Sequence, residues 1–410
     1  MNTKKNNIVV AMLLCGSMFA VLGFALGLNT FLIPFVQDAF NVSIAESYFI
    51  MAATYSAYVF FGLVSGKILE KAGYKGGIVI SFIIMAIGFF LIIPSAKTVN
   101  FSLFLLALFI SGLGQALLTG AVNTYVSIIG DGESAARRIA MMGVCNKIFY
   151  ALASLVLAIF MDLGNVRIKD TILPFYIITG ILLIMGVLYY FSPLPEVKAV
   201  GEEDEGEDNP EVAGYSRDKT NIFQFPHLLL GVVAVFFLVG AQTVALGTVN
   251  DYATILNLSS PENYIWFVSA GMVIGYLLGV VFIPRYISQT QALIISTILG
   301  ILVTLFILIV SDKISIYLVA LLGMANAMLW PAVWALAIVD LGKFTKTGSS
   351  LLLTGIIGGA VFSLLFGYVA EKTNYQIAYL ICIPAYLYVL YYALSGNKIR
   401  IKTSKKKINQ

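Results

Sequence analysis

The chain has 410 residues, of which 60% are hydrophobic and only 11% charged. Water-soluble domains carry about 25% charged residues, so this composition excludes one and indicates a membrane protein. The net charge is +4; three cysteines (Cys15, Cys145, Cys382) and one histidine (His227) leave no metal-ligand spacing, no disulfide framework and no His-based catalytic site.

Twelve apolar stretches read as membrane-spanning helices. The first six cover 8–36, 46–69, 77–96, 101–129, 139–162 and 172–192. The second six cover 227–256, 262–284, 289–310, 314–341, 347–370 and 374–395. Each has about 20 residues or more, enough to cross a ~30 Å hydrocarbon layer at 1.5 Å per residue. The runs are too long for barrel strands, and the first is too long for a signal peptide and lacks a small-residue cleavage site. The expected fold is therefore all-α, with residues 1–192 and 227–395 forming two six-helix bundles. Residues 193–226 would link them, and 396–410 would form a basic tail.

The linker carries the acidic run Glu202–Asp208 (EEDEGED), which has no aromatic residue and reads as disordered and self-repelling. With the N-terminus inside, 19 of the 25 Lys and Arg residues fall on the cytoplasmic side and five outside, leaving Lys147 within a span. That asymmetry places both termini in the cytoplasm. The tail KTSKKK reads as a contact with anionic headgroups.

The two halves share a repeat in their fourth spans. Gly112–Val122 reads GLGQALLTGAV and Gly323–Val333 reads GMANAMLWPAV. Gln115 faces Asn326, Thr119 faces Trp330, and Gly120 faces Pro331. Repeats of this kind build transporters whose site lies near the membrane midplane. Asn326, Trp330 and Trp334 share a helix face, and Pro331 interrupts the hydrogen-bond ladder beside them. A membrane helix tolerates that break where neighbours re-satisfy the freed backbone. Cavity lining and plain helix packing both fit this stretch.

Between the second and third spans lies GKILEKAGYKGG, residues 66–77. Gly66, Glu70, Lys71, Gly73 and Lys75 occupy the places of the loop motif that links these helices in the major facilitator superfamily, which the chain resembles. Glu70 stands for the usual Asp, and Tyr74 for a usual base. Such a loop can pair with neighbouring helix ends in one state of a rocking transporter and release them in the other.

A narrower resemblance runs through Leu28–Pro34 (LNTFLIP), Leu108–Gly130, Gly240–Thr243 (GAQT) and Gly323–Ser350. These stretches look like the fucose and glucose/galactose permease branch, which contains proton-coupled sugar importers. The resemblance implies sugar uptake with proton symport. It also implies an aspartate after Asn29 and a glutamate four residues before Asn123. The chain has Thr30 and Thr119 there, which can bond a sugar hydroxyl but cannot carry a proton at neutral pH. Asn146 matches an asparagine of that branch.

Lys147 follows Asn146 inside the fifth span, and an intramembrane lysine marks a functional site by default. It can donate to sugar oxygens or take part in proton coupling; the alternative is snorkelling toward the inner interface. Asp251 is a candidate charge partner and second coupling group, whereas Asp340 reads as structural. Sugars need amides for paired hydroxyls and aromatic faces for C–H surfaces. Asn29, Gln115, Asn123, Asn146, Gln242, Asn250 and Asn326 supply the first, and Tyr55, Tyr58, Trp330 and Trp334 the second.

The expectation is a monomeric secondary transporter of the cell (inner) membrane that imports a hexose or close derivative by alternating access. It would need the lipid bilayer and a coupling proton, but no cofactor, metal or nucleic acid. No nucleotide-binding loop supports ATP-driven transport. The alternatives are a carrier of another small polar or anionic metabolite, a sugar carrier without proton coupling, a membrane enzyme and a nutrient sensor. The last two would need, respectively, a cluster of reactive side chains and a long signalling extension.

Overall fold

The computed structural model describes residues 2–161, 167–197, 215–216 and 218–400, the side chains of 2–7, 34, 44, 45, 63 and 262 excepted. The acidic run Glu202–Asp208 and the tail from Lys402 lie outside these residues. Among the described residues, eleven helical segments are long and apolar enough to cross a membrane, and the shorter Phe49–Gly62 makes a twelfth. The surface is that of a protein solvated by hydrocarbon: Ile184 and Leu188 of the sixth span are 61% and 63% exposed. Backbone polar groups satisfied within each helix make such a surface tolerable in lipid.

The second and third spans form one helical run, Phe49–Thr98, broken at Gly73. Gly73 sits at φ 70°, a left-handed conformation that costs a residue with a Cβ but not glycine. The break opens a new helix at Tyr74, and acceptors from outside it are needed by its first amides. Glu196 takes them, accepting from Tyr74 N at 3.1 Å and Lys75 N at 3.0 Å. A carboxylate at a helix N-terminus also opposes the positive end of the helix dipole. Lys75 Nζ donates to Ser192 O at 2.8 Å, and Tyr125 OH to Pro195 O at 2.9 Å. Residues 193–197, the first of the linker, are therefore anchored to the first half.

The halves are built alike. The first span packs on the fifth, the second on the fourth and the third on the sixth; seventh on eleventh, eighth on tenth and ninth on twelfth repeat the pattern. The repeated stretches explain part of this. A Cβ at Gly112 would lie 2.6 Å from Thr54 O of the second span, and one at Gly323 would lie 2.6 Å from Val268 O of the eighth. Both glycines open the aligned segments, and each lets its helix touch the backbone of the corresponding neighbour. Between the halves, the fifth span packs on the eighth and the second on the eleventh.

The tenth span is interrupted as expected, with helices Asp312–Asn326 and Leu329–Ile338 separated by residues 327 and 328. Pro331 has no N–H to offer the carbonyl four residues earlier, and its ring crowds that carbonyl. The break falls at that carbonyl's residue, Ala327. Gln242 Nε2 of the seventh span donates to the neighbouring Asn326 O at 2.8 Å. A side-chain amide thus caps the backbone where the ladder fails.

Candidate substrate-binding cavity

A cavity of about 120 Å³ lies between the halves. It is well under the 300–1,000 Å³ of common ligand clefts, which restricts it to one small solute in this arrangement. The fourth span contributes Thr119 and Asn123, and the fifth contributes Asn146, Lys147 and Tyr150. The second contributes Tyr55 and Tyr58, the seventh Gln242 and Thr243, the eighth Tyr276, and the tenth Trp330. A larger space of about 1,030 Å³ opens among the first, fifth and sixth spans. Its lining is almost wholly apolar, so it lacks the convergent polar groups that fix a solute.

A hydrogen bond crosses the small cavity from half to half: Trp330 Nε1 donates to Asn123 Oδ1 at 2.9 Å. Asn123 is held in turn, its Nδ2 donating to Thr119 O at 2.9 Å. Thr119 Oγ1 donates to Gln115 O at 2.7 Å and lies 3.4 Å from Tyr58 OH. The Trp330 indole lies 5.1 Å from that of Trp334 between ring centroids, tilted by 30°. Asn146 Nδ2 donates to Phe19 O at 3.0 Å and pins the fifth span to the first. Lys147 is 7% exposed, with Nζ 5.0 Å from the centroid of the Tyr150 ring. The Tyr150 hydroxyl bonds Thr30 Oγ1.

The structure brings Thr119, Asn123, Asn146, Lys147, Gln242 and Trp330 around one space. Other expected site residues sit behind it. Asn29 Nδ2 donates to Thr54 Oγ1 at 2.9 Å, and Gln115 Nε2 to Ser111 Oγ at 3.1 Å. Asn326 is fully buried and accepts from Tyr386 OH at 2.7 Å, so its side chain ties the tenth span to the twelfth. Trp334 is fully buried beneath Trp330. Thr30 reaches the cavity only through Tyr150. The repeat sorts these positions in pairs: Thr119 and Trp330 face the cavity, whereas their partners one turn earlier, Gln115 and Asn326, are packed away from it.

Asp251 is not beside Lys147. It lies on a separate short helix, Val249–Ile255, where its carboxylate accepts from Tyr48 OH at the far end of the second span. Asn250 Oδ1 accepts from Ile265 N at 2.9 Å. The loop motif joins the halves at the opposite face. Thr347 Oγ1 donates to Glu70 Oε1 at 2.7 Å, and Ser65 Oγ to Ser350 Oγ at 3.3 Å. Gly66 gives the room for this contact, since a Cβ there would lie 2.7 Å from Ser350 Oγ. Lys71 is exposed. Asp340 pairs with Arg400. Inter-half contacts thus flank the cavity on both sides, and such contacts must break and re-form if the halves rock.

Tyr150 and Tyr276 were not expected in the lining. In apolar sequence a tyrosine looks like an interfacial anchor. Only the packing of the fifth span on the eighth turns both rings inward. No group of three or more His, Cys, Asp or Glu able to hold a metal occurs among the described residues.

Two helical bundles with like internal packing, closed around a polar space and joined by contacts on either side of it, have the architecture of a rocking membrane carrier. The model of the Major Facilitator Superfamily matches residues 13–355, and the chain belongs to that family of transporters. It is 28% identical over 393 residues to a glucose/galactose transporter of Brucella abortus, covering 93% of this chain and 92% of the relative. It is 25% identical over 396 residues to the L-fucose-proton symporter of Escherichia coli, covering 90% and 89%. Among solved structures, FucP in the outward conformation superposes with a TM-score of 0.76 at 23% identity, covering 94% of this chain and 98% of that one. The proton:xylose symporter XylE bound to 6-bromo-6-deoxy-D-glucose superposes at 0.74 with 13% identity, covering 95% of each.

Proposed function

We propose that the chain imports a monosaccharide, a hexose or close derivative, by alternating access with proton symport. The observation that carries this reading is the Trp330–Asn123 bond across a cavity lined by amides, hydroxyls and aromatic rings. Amides pair with vicinal hydroxyls, and an indole face covers the apolar side of a sugar ring. The names of the relatives, a glucose/galactose transporter and an L-fucose-proton symporter, support the same solute class. In this reading the carrier is a monomer of the cell (inner) membrane. Its termini are cytoplasmic, residues 1–192 and 227–395 are the moving halves, and 193–226 connects them.

Counterflow in proteoliposomes is the test, with a panel of monosaccharides and small non-sugar carboxylates. At least one monosaccharide is expected to exchange, and adding it outside under import conditions is expected to alkalinise the external medium. Exchange of carboxylates with no sugar exchanged would contradict the reading. Exchange of a sugar without any pH change would leave sugar transport standing and remove the proton.

A further inference from the structure

Asn123, Asn146, Gln242 and the surrounding hydroxyls are neutral, and among the described residues no carboxylate lines the cavity. Its one ionisable cationic side chain is Lys147, buried in the middle of the fifth span. The Tyr150 ring lies near its Nζ, but a ring face offers only the weak attraction of its quadrupole and removes no net charge. The remaining candidate counter-charge, Asp251, is taken by Tyr48 outside the cavity. Thr30 and Thr119 stand at the two positions where the resemblance implies acids, so substitution there removes negative charge and Lys147 adds positive charge. A cation in a low-dielectric space is costly unless something pairs it.

From this charge balance, and resting on the monosaccharide reading above, we propose that the solute brings the missing anion. The substrate is an acidic monosaccharide, a hexuronate or a sugar acid of similar size, whose carboxylate pairs with Lys147 while its ring lies against Trp330. A lysine ammonium presents three donors on a flexible stem and can follow a carboxylate through a change of state. The amides and Thr119 then read the hydroxyls. The same cavity disfavours a solute bearing an ammonium group.

The test is counterflow by the full chain in proteoliposomes held at zero membrane potential. The probes are D-glucuronate and D-galacturonate against D-glucose, D-galactose and L-fucose, with lactate as a non-sugar anion. A uronate is expected to exchange at least tenfold more efficiently than its neutral parent. Lys147→Gln should remove that preference, and Lys147→Arg should keep it. Because Lys147→Gln can fail to fold, the thermal shift of the unaltered chain in detergent is measured with the same probes; a uronate should raise the midpoint more than its parent hexose. Neutral hexoses exchanging as well as or better than uronates would overturn this inference and leave monosaccharide transport intact. Lactate exchanging with no sugar of either kind would overturn both. A uronate preference that persists unchanged in a folded Lys147→Gln variant would overturn the role of Lys147.

Discussion

Trp330→Ala is expected to lower substrate affinity by at least tenfold and to leave the helical fold in place. Tenfold corresponds to about 1.4 kcal/mol. The indole supplies two things at once. Its face is the aromatic surface against which a pyranose ring can lie, and its Nε1–H holds Asn123 across the gap between the halves. Truncation removes both and leaves Asn123 Oδ1 without its indole donor. Trp330→Phe separates the contributions, because it keeps a ring and loses the donor. Its affinity should fall between those of the parent and the alanine variant. Equilibrium binding measured in detergent, with circular dichroism as the check on fold, reads this directly. Unchanged affinity in Trp330→Ala would place the solute elsewhere.

Gly323→Val should destabilise the chain strongly. A Cβ at position 323 would lie 2.6 Å from Val268 O and 2.8 Å from Val268 Cγ1, so the eighth and tenth spans would have to part. Overpacking of this kind costs on the order of 1–3 kcal/mol, and here rigid backbone is the obstacle. The tenth span also carries Trp330, so a shift in its seat moves one wall of the cavity. Gly112→Val should act alike against Thr54 O, as its place in the repeat requires. Gly180→Ala is the control, since a Cβ there meets nothing within 4 Å. Thermal unfolding in detergent is the measurement. Equal midpoints for Gly323→Val and Gly180→Ala would refute the close approach.

The helices and the break in the tenth span were legible because they follow from local chemistry. Apolar length defines a span, and Pro331 removes a donor whatever surrounds it. The repeat was legible too, since Gly112 and Gly323 do the same work in both halves. The inward set was legible only in part. On one unbroken helix Asn326, Trp330 and Trp334 would spread over only about 80° and share a face, but the break at residues 327 and 328 leaves Asn326 on the preceding helix. Trp330 takes the cavity; Asn326 lies before the break and Trp334 beneath. The anchoring of Glu196 on the amides of Tyr74 and Lys75 joins residues more than a hundred positions apart, and no pattern in the chain announces it. Asp251 and Lys147 looked like complementary charges, but the short helix beyond the seventh span carries Asp251 to Tyr48 instead.

A monosaccharide is expected to occupy the space beside Trp330. The chain has three tryptophans, at 266, 330 and 334. Replacing Trp266 and Trp334 with phenylalanine leaves Trp330 as the sole indole emitter, lying in the cavity wall. A sugar that the carrier exchanges should then change its emission saturably, with half-effect at the concentration that half-saturates counterflow. A sugar that is exchanged at full rate while Trp330 emission stays constant would contradict the account.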